Sequence, residues 1–246
     1  MAQTSLSGAV QVAGADILSN SSVQQMALGA YAETSDGRGF RYAKVGATAT
    51  IPGKIYAAAA WDVVNQAPAG GLAATGAINT TTVTVSTSTT MAANLLAGGY
   101  LVTALTPGQG YTYRIKSNTA TAGAAGLVIE LEDPLVVALT TGADVVLVKH
   151  AYDQIIVSPG GASTGMPVGV ATTAITAAYY GWVQTFGTCA VLAGVSTSVS
   201  LPGVPVTPSA STAGSTIVST AILPTIGWAQ QLFTATEYNI VYLLIH

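Results

Sequence analysis

Charge is the scarcest property of this 246-residue chain: Asp, Glu, Lys and Arg make up 7% of it, against about 25% in ordinary soluble domains. The seven Lys and Arg are scattered, so there is no basic stripe for a phosphate backbone to follow, and nucleic acid is not an expected partner. Long apolar runs are also missing. A membrane-crossing helix needs roughly 18 to 20 consecutive apolar residues, and the best stretches here are interrupted, KIYAAAAWDVV by Asp62 and LLAGGYLVTAL by Gly98 and Gly99. No membrane partner is expected. No basic residue precedes the first apolar ones, so an export signal is not expected and folding in a cytoplasm is. The lone cysteine, Cys189, excludes an internal disulfide and a cysteine-rich metal site. Within TCAVL it reads as a small core residue.

Groups able to do chemistry are equally sparse. Of the two histidines, His246 is the last residue, and His150, in LVKHAYD, has no nucleophile or acid motif beside it; it reads as a strand-end surface or interface residue. Glu130, Glu132 and Asp133 form the one acidic cluster. A strand would place Glu130 and Glu132 on one face, where a calcium ion or a carboxylate pair could use them. The calcium-loop spacing is absent, however, and Asp133-Pro134 opens a turn, which favours a solvated strand end. The GQG of TPGQGYTYR precedes a strand instead of a helix, so it is not a phosphate loop. The expectation is a protein with no catalytic residue, no cofactor and no metal, and therefore not an enzyme.

What the chain does have is Ala, Val, Thr and Ser, divided by 27 glycines and 10 prolines, a texture of short strands and many turns. SDGRG lies between two alternating stretches and predicts a hairpin, with Tyr31, Phe40 and Tyr42 as cross-strand candidates. Pro52-Gly53 predicts a second turn. APAGGLAATG, residues 67–76, reads as a connector. Beyond it, INTTTVTVSTSTT, the alternation of Tyr111, Tyr113 and Ile115 against Thr112, Arg114 and Lys116, and that of Leu127, Ile129 and Leu131 against Val128, Glu130 and Glu132 predict half-buried strands. Two more strands are expected around Thr141-Gly142. From 160 onward turns recur about every ten residues, as in a sandwich or barrel, and EYNIVYLLIH reads as a core strand.

The fold class is therefore all-β: a barrel, a tulip-like barrel or a sandwich built from residues 26–75 and 154–246, with a small β domain, 76–153, inserted in it. Residues 1–25 show no clear period beyond one short helix that Ser19 or Asn20 could open, and read as an extended arm ordered by a neighbouring subunit. Surfaces this poor in charge are weakly protected against self-association, so the protein is expected to work assembled.

Aromatics gather in AAYYGWVQTFGTCAVL. As a strand, this stretch turns Tyr180, Trp182 and Gln184 one way and Tyr179, Gly181, Val183 and Thr185 the other. Such residues suit an interface, where Trp and Tyr combine apolar area with a polar handle, and they equally suit a small barrel's core. Trp182 is expected to fill the interior, and Tyr179 to face an adjoining copy or a shell.

Four blocks, LGAYAETSDGRGFRYAKVG, AGGYLVTALTPGQGYTYRIKSN, ELEDPLVVALTTGADVVLV and GVATTAITAAYYGWVQTFG, together resemble tailed-bacteriophage virion proteins that decorate the capsid. The resemblance implies a decoration or cement protein, made in the host cytoplasm and located on the capsid exterior. It would bind the major capsid protein and neighbouring copies of itself, a trimer at local three-fold points being one such assembly. Tyr179, Tyr180, Trp182 and Gln184 enter it as structural or contact residues. A head-fibre or tail-associated host-binding protein is the alternative; a carbohydrate-active enzyme would have to rest on Glu130, Glu132 and Asp133.

Overall fold

The computed structural model describes residues 10–11, 14, 16–60, 71–88, 90–105, 107–122, 126–195, 201–219 and 225–245. The protein is all-β, with no α-helix among these residues. Contacts gather them into two compact units, one within Met1–Ala60 and Ala151–His246, the other within Trp61–His150.

In chain order the first unit begins with β1 (Val10–Gln11), a 3-10 turn at Asp16–Leu18, β2 (Asn20–Ser21), β3 (Tyr31–Glu33), β4 (Gly39–Lys44) and β5 (Ile55–Ala57). The second unit holds β6 (Thr82–Ser86), β7 (Tyr100–Thr103), β8 (Thr112–Asn118), β9 (Gly126–Leu131) and β10 (Val145–Val148). The chain then returns to the first unit with β11 (Ile156–Val157), β12 (Pro167–Ala171), β13 (Tyr180–Leu192), β14 (Pro205–Pro208), β15 (Thr216–Val218), β16 (Gly227–Ala229) and β17 (Tyr238–Leu244).

The second unit follows from its period-two pattern. Tyr113 and Ile115 of β8 are buried while Thr112, Arg114 and Lys116 are exposed, and Leu127, Ile129 and Leu131 of β9 are buried in the same core. The five strands run β10-β7-β8-β9-β6, all antiparallel. Residues 71–76, expected to be a connector, are hydrogen-bonded along this sheet's edges. Leu72 bridges to Val85 of β6 and exchanges backbone hydrogen bonds with 142–143 just ahead of β10, while Gly76 bridges to Leu139. The segment thereby closes the sheet around Leu101, Ile115 and Leu147. Of the two strands expected around Thr141-Gly142, only β10 forms. The stretch after Pro134 runs antiparallel to residues 76–80 but bonds to them only at its two ends, Leu135 to Asn79 and Thr80 and Leu139 to Gly76, too irregularly to form a strand.

The first unit is a curled antiparallel sheet, a half-barrel, with path β1-β3-β4-β13-β17-β16-β14-β15 and with β2, β5, β11 and β12 attached beside it. SDGRG turns the β3–β4 hairpin as expected, the Gly37 N–H donating to Thr34 O at 2.9 Å. Phe40 and Tyr42 lie on its buried face, whereas Tyr31 pairs with Arg41, whose guanidinium sits over the Tyr31 ring at 5.2 Å. The ring takes a cation as partner because residue 31 has the opposite parity to the aromatics across the ladder. Within the first 25 residues, no helix opens at Ser19: its hydroxyl closes the turn by donating to Asp16 O, and Asn20–Ser21 pairs with β13. Ile17 is buried beneath the sheet and Val10–Gln11 lies parallel to β3. The rest of the expected arm, 1–9, 12, 13 and 15, lies outside the described residues.

Strand β13 is the spine. Over its first half it pairs with β4, and over its second with β17. The first half is covered on both sides, by a cluster of Ile17, Phe40, Tyr42 and Trp182 and by one of Tyr56, Val168, Ile175 and Val183. The second half buries Cys189 and Val191 with Val206, Val241 and Leu243 on one side only.

Candidate functional site

The aromatics of β13 are placed by ladder register. Trp182 faces Tyr42, their rings meeting edge to face at 5.1 Å, and Tyr42 also stacks on Tyr180 at 6.1 Å. Lys44, opposite Tyr180, holds its Nζ 5.5 Å from that ring's centre. Trp182 is 5% exposed, so it serves the core; edge-to-face pairs of this kind add about 0.5–1.5 kcal/mol to what burial contributes. Tyr179 precedes the strand and is half-buried against the opposite cluster, that of Val183 and Ala171. Tyr179 and Trp182 thus pack into different clusters, and less of Tyr179 is free to meet a neighbour than a fully exposed side chain would offer.

Gln184 is a structural clamp. Gln184 pairs with Phe40 and Phe186 with Gly39, which leaves Thr185 as one extra residue in β13, a bulge that interrupts the ladder. The Gln184 Nε2 donates to Phe186 O at 3.0 Å and Thr188 O at 2.9 Å, so carbonyls along the irregular segment keep a partner. Gly187 follows with φ +85°, a left-handed conformation that favours glycine.

Beside the bulge lies a cleft of about 540 Å³ lined by Ile51, Pro52, Gly53, Ala190 and Tyr238, with Ala171, Thr172, Gln184, Thr188, Cys189 and Arg38 completing it. Arg38 is held by Asp36 through a 2.7 Å ion pair, and hydrogen bonds from Thr34 and Arg38 bring the Asp36 carboxyl down to about 2. Thr172 Oγ1 is buried without a hydrogen-bond partner. Burial pushes the Cys189 thiol up to about 12, so it is not a thiolate nucleophile at neutral pH. Among the described residues the lining has no carboxylate and no imidazole, and Ile51, Pro52, Ala190 and the Tyr238 ring give it apolar walls beside Thr172, Gln184 and Thr188.

The cleft opens on a sheet face that sequence reasoning missed. Register sets Trp228, Tyr242 and Thr188 in one cross-strand row, Ile240 beside Ala190, and Tyr238 beside Leu192. These side chains point away from the Val241–Leu243 core, and Trp228, Tyr238 and Ile240 are 41%, 53% and 41% exposed. The available signal was YNIVYLLI, apolar at both parities, whereas a strand with one wet face alternates.

The acidic cluster is used differently. Glu130 accepts hydrogen bonds from Lys116 Nζ at 2.7 Å and Ser117 Oγ at 3.1 Å, and Glu132 pairs with Arg114 at 3.3 Å. The Lys116 hydrogen bond holds the Glu130 carboxyl below its ordinary range, the opposite of what a general acid needs. His150 is lowered by burial and by the Arg114 charge. Among the described residues no group of three His, Cys, Asp or Glu could hold a metal ion, and no helix is long and apolar enough to cross a membrane. No protein-family model, curated protein or solved structure matches the chain.

Proposed function

We propose that this chain is a non-enzymatic structural protein of a tailed-phage virion, bound to the outside of the major capsid lattice and stabilising the head. The observation that carries the reading is the apolar outward face of β13, β17 and β16 on a chain with 7% charged residues. Contiguous apolar surface of this kind marks a site that a partner covers, and a shell of repeated subunits holds neighbouring copies of the chain at the high local concentration that lets them supply that cover. The four sequence blocks that resemble decoration proteins support the same reading. In it, the second unit is a domain inserted in the sequence of a barrel-like one, the first 25 residues help attach the protein, and neighbouring copies meet on the capsid.

The test is to mix purified protein with undecorated capsids and image them. Regularly spaced added density over the head, with a higher capsid melting temperature, is the expected result. Capsids that remain bare, with antibody label on intact virions found at the tail tip, would overturn the reading in favour of host binding.

A further inference from the structure

We infer that two copies of this chain pair face to face through the outward surface of β13, β17 and β16, each seating its Trp228 in the other's cleft beside Gly53 and Ala190. Such pairing is a property of the chain alone and holds whether or not it decorates a capsid.

A two-fold interface requires a projection and a matching hollow on the same surface, and here both are present. Trp228 stands opposite Tyr242, and Tyr242 opposite Thr188 at the lip of the cleft, all on one side of the sheet. With strands about 4.8 Å apart, projection and hollow are separated by roughly 10 Å across β17. A two-fold axis lying along β17, midway between two sheets stacked about 10 Å apart, carries each Trp228 onto the other copy's cleft.

The chemistry of the hollow fits an indole. Its walls are Ile51, Pro52, Ala190 and the Tyr238 ring, and its volume of about 540 Å³ admits the side chain. A buried tryptophan needs an acceptor for its N–H, and the exposed Thr188, whose hydroxyl can accept, lines the same cleft. Among the described residues of the lining Arg38 alone is charged, and it is already paired with Asp36, so it adds no free charge to the interface.

The area also suits a second copy. Trp228, Tyr238, Ile240 and Ile51, at 41%, 53%, 41% and 47% exposure, leave on the order of 400 Å² of apolar surface, as large as the patches that mark interfaces on monomers. The half-buried Phe186, Leu192, Tyr242 and Leu244 on the same face extend it toward the roughly 800 Å² per partner of a stable interface.

Sedimentation equilibrium on the full chain at tens of micromolar tests the pairing, with Trp228→Lys removing the projection and Ala190→Arg filling the hollow from an exposed position. The parent should sediment at twice the chain mass of 24.6 kDa. Each variant should keep the parent's far-ultraviolet circular dichroism and sediment as a single chain, a weakening of at least about 100-fold. A parent at one or three chain masses would overturn the proposal, and so would a folded Ala190→Arg that still pairs, even if Trp228→Lys failed to fold.

Discussion

Strands β8 and β17 are both seven residues long and each buries one face in a core, yet they present opposite chemistry outward. Strand β8 turns out Thr112, Arg114 and Lys116, the last two ion-paired to Glu132 and Glu130. Strand β17 turns out Tyr238, Ile240, Tyr242 and Leu244. The inward faces follow one rule, apolar residues against a core. Outward they differ: polar and charged side chains that water satisfies on β8, and apolar ones on β17, the face that the proposed pairing would cover.

The largest effects should come from the inward faces, where the two regions are alike. Trp182→Ala should cost about 3–5 kcal/mol and Ile115→Ala about 2–5 kcal/mol in urea unfolding, since each empties a packed core site. A parent-like midpoint for either would show that its face is not the core it is taken for.

Next comes an alkaline limb specific to the first unit. The Cys189 thiol is pushed up to about 12 by burial, so the unfolded chain loses this proton first. Stability conferred by the buried neutral thiol is fully present below pH 9 and declines as pH rises from there toward 12, by up to about 1.4 kcal/mol per pH unit. Urea midpoints across that range should fall more steeply for the parent than for Cys189→Ala. Parallel slopes would contradict the assignment.

Gln184→Leu keeps the shape of the side chain but leaves the Phe186 and Thr188 carbonyls without their donor, a loss of about 1–3 kcal/mol. Gln184→Glu, which keeps acceptors and removes the donor, should be no better. If both melt as the parent, the clamp is not needed to hold the bulge.

The smallest effects belong to the outward face of β8. Lys116→Gln should leave the melting temperature and the assembled mass unchanged at neutral pH, because exposed pairs contribute little. Its one visible consequence lies in acid: Glu130 is held below the ordinary carboxylate range by Lys116, so what the pair adds is present above that range and lost as pH falls through the depressed value. The variant should flatten this limb. A large neutral-pH change would mean that this face, too, is covered.

Strand content was legible where period two was clean. Tyr113, Ile115, Leu127 and Ile129 could be assigned to a core from alternation alone, and the SDGRG hairpin from its turn chemistry. Residues 71–76 were not, because Gly and Ala composition signals irregular backbone and says nothing of the edge hydrogen bonds that such backbone can still make. The aromatic stretch was legible in part. Trp182 reads as core, but for Gln184 the sequence left structural and contact roles open, because the bulge it clamps arises from a register shift with β4, a relation between distant segments. Trp228 and the cleft were invisible for the same reason, being joined through β17 and the Pro52-Gly53 turn.

Hydroxyl-radical footprinting tests the central claim most directly, because Tyr100 and Tyr111 of the second unit, at 43% and 44% exposure, match Trp228 and Tyr238 in the isolated chain. On going from dilute to assembled protein, Trp228 and Tyr238 should lose most of their oxidation while Tyr100 and Tyr111 keep theirs. Equal oxidation of all four in both states would contradict the account.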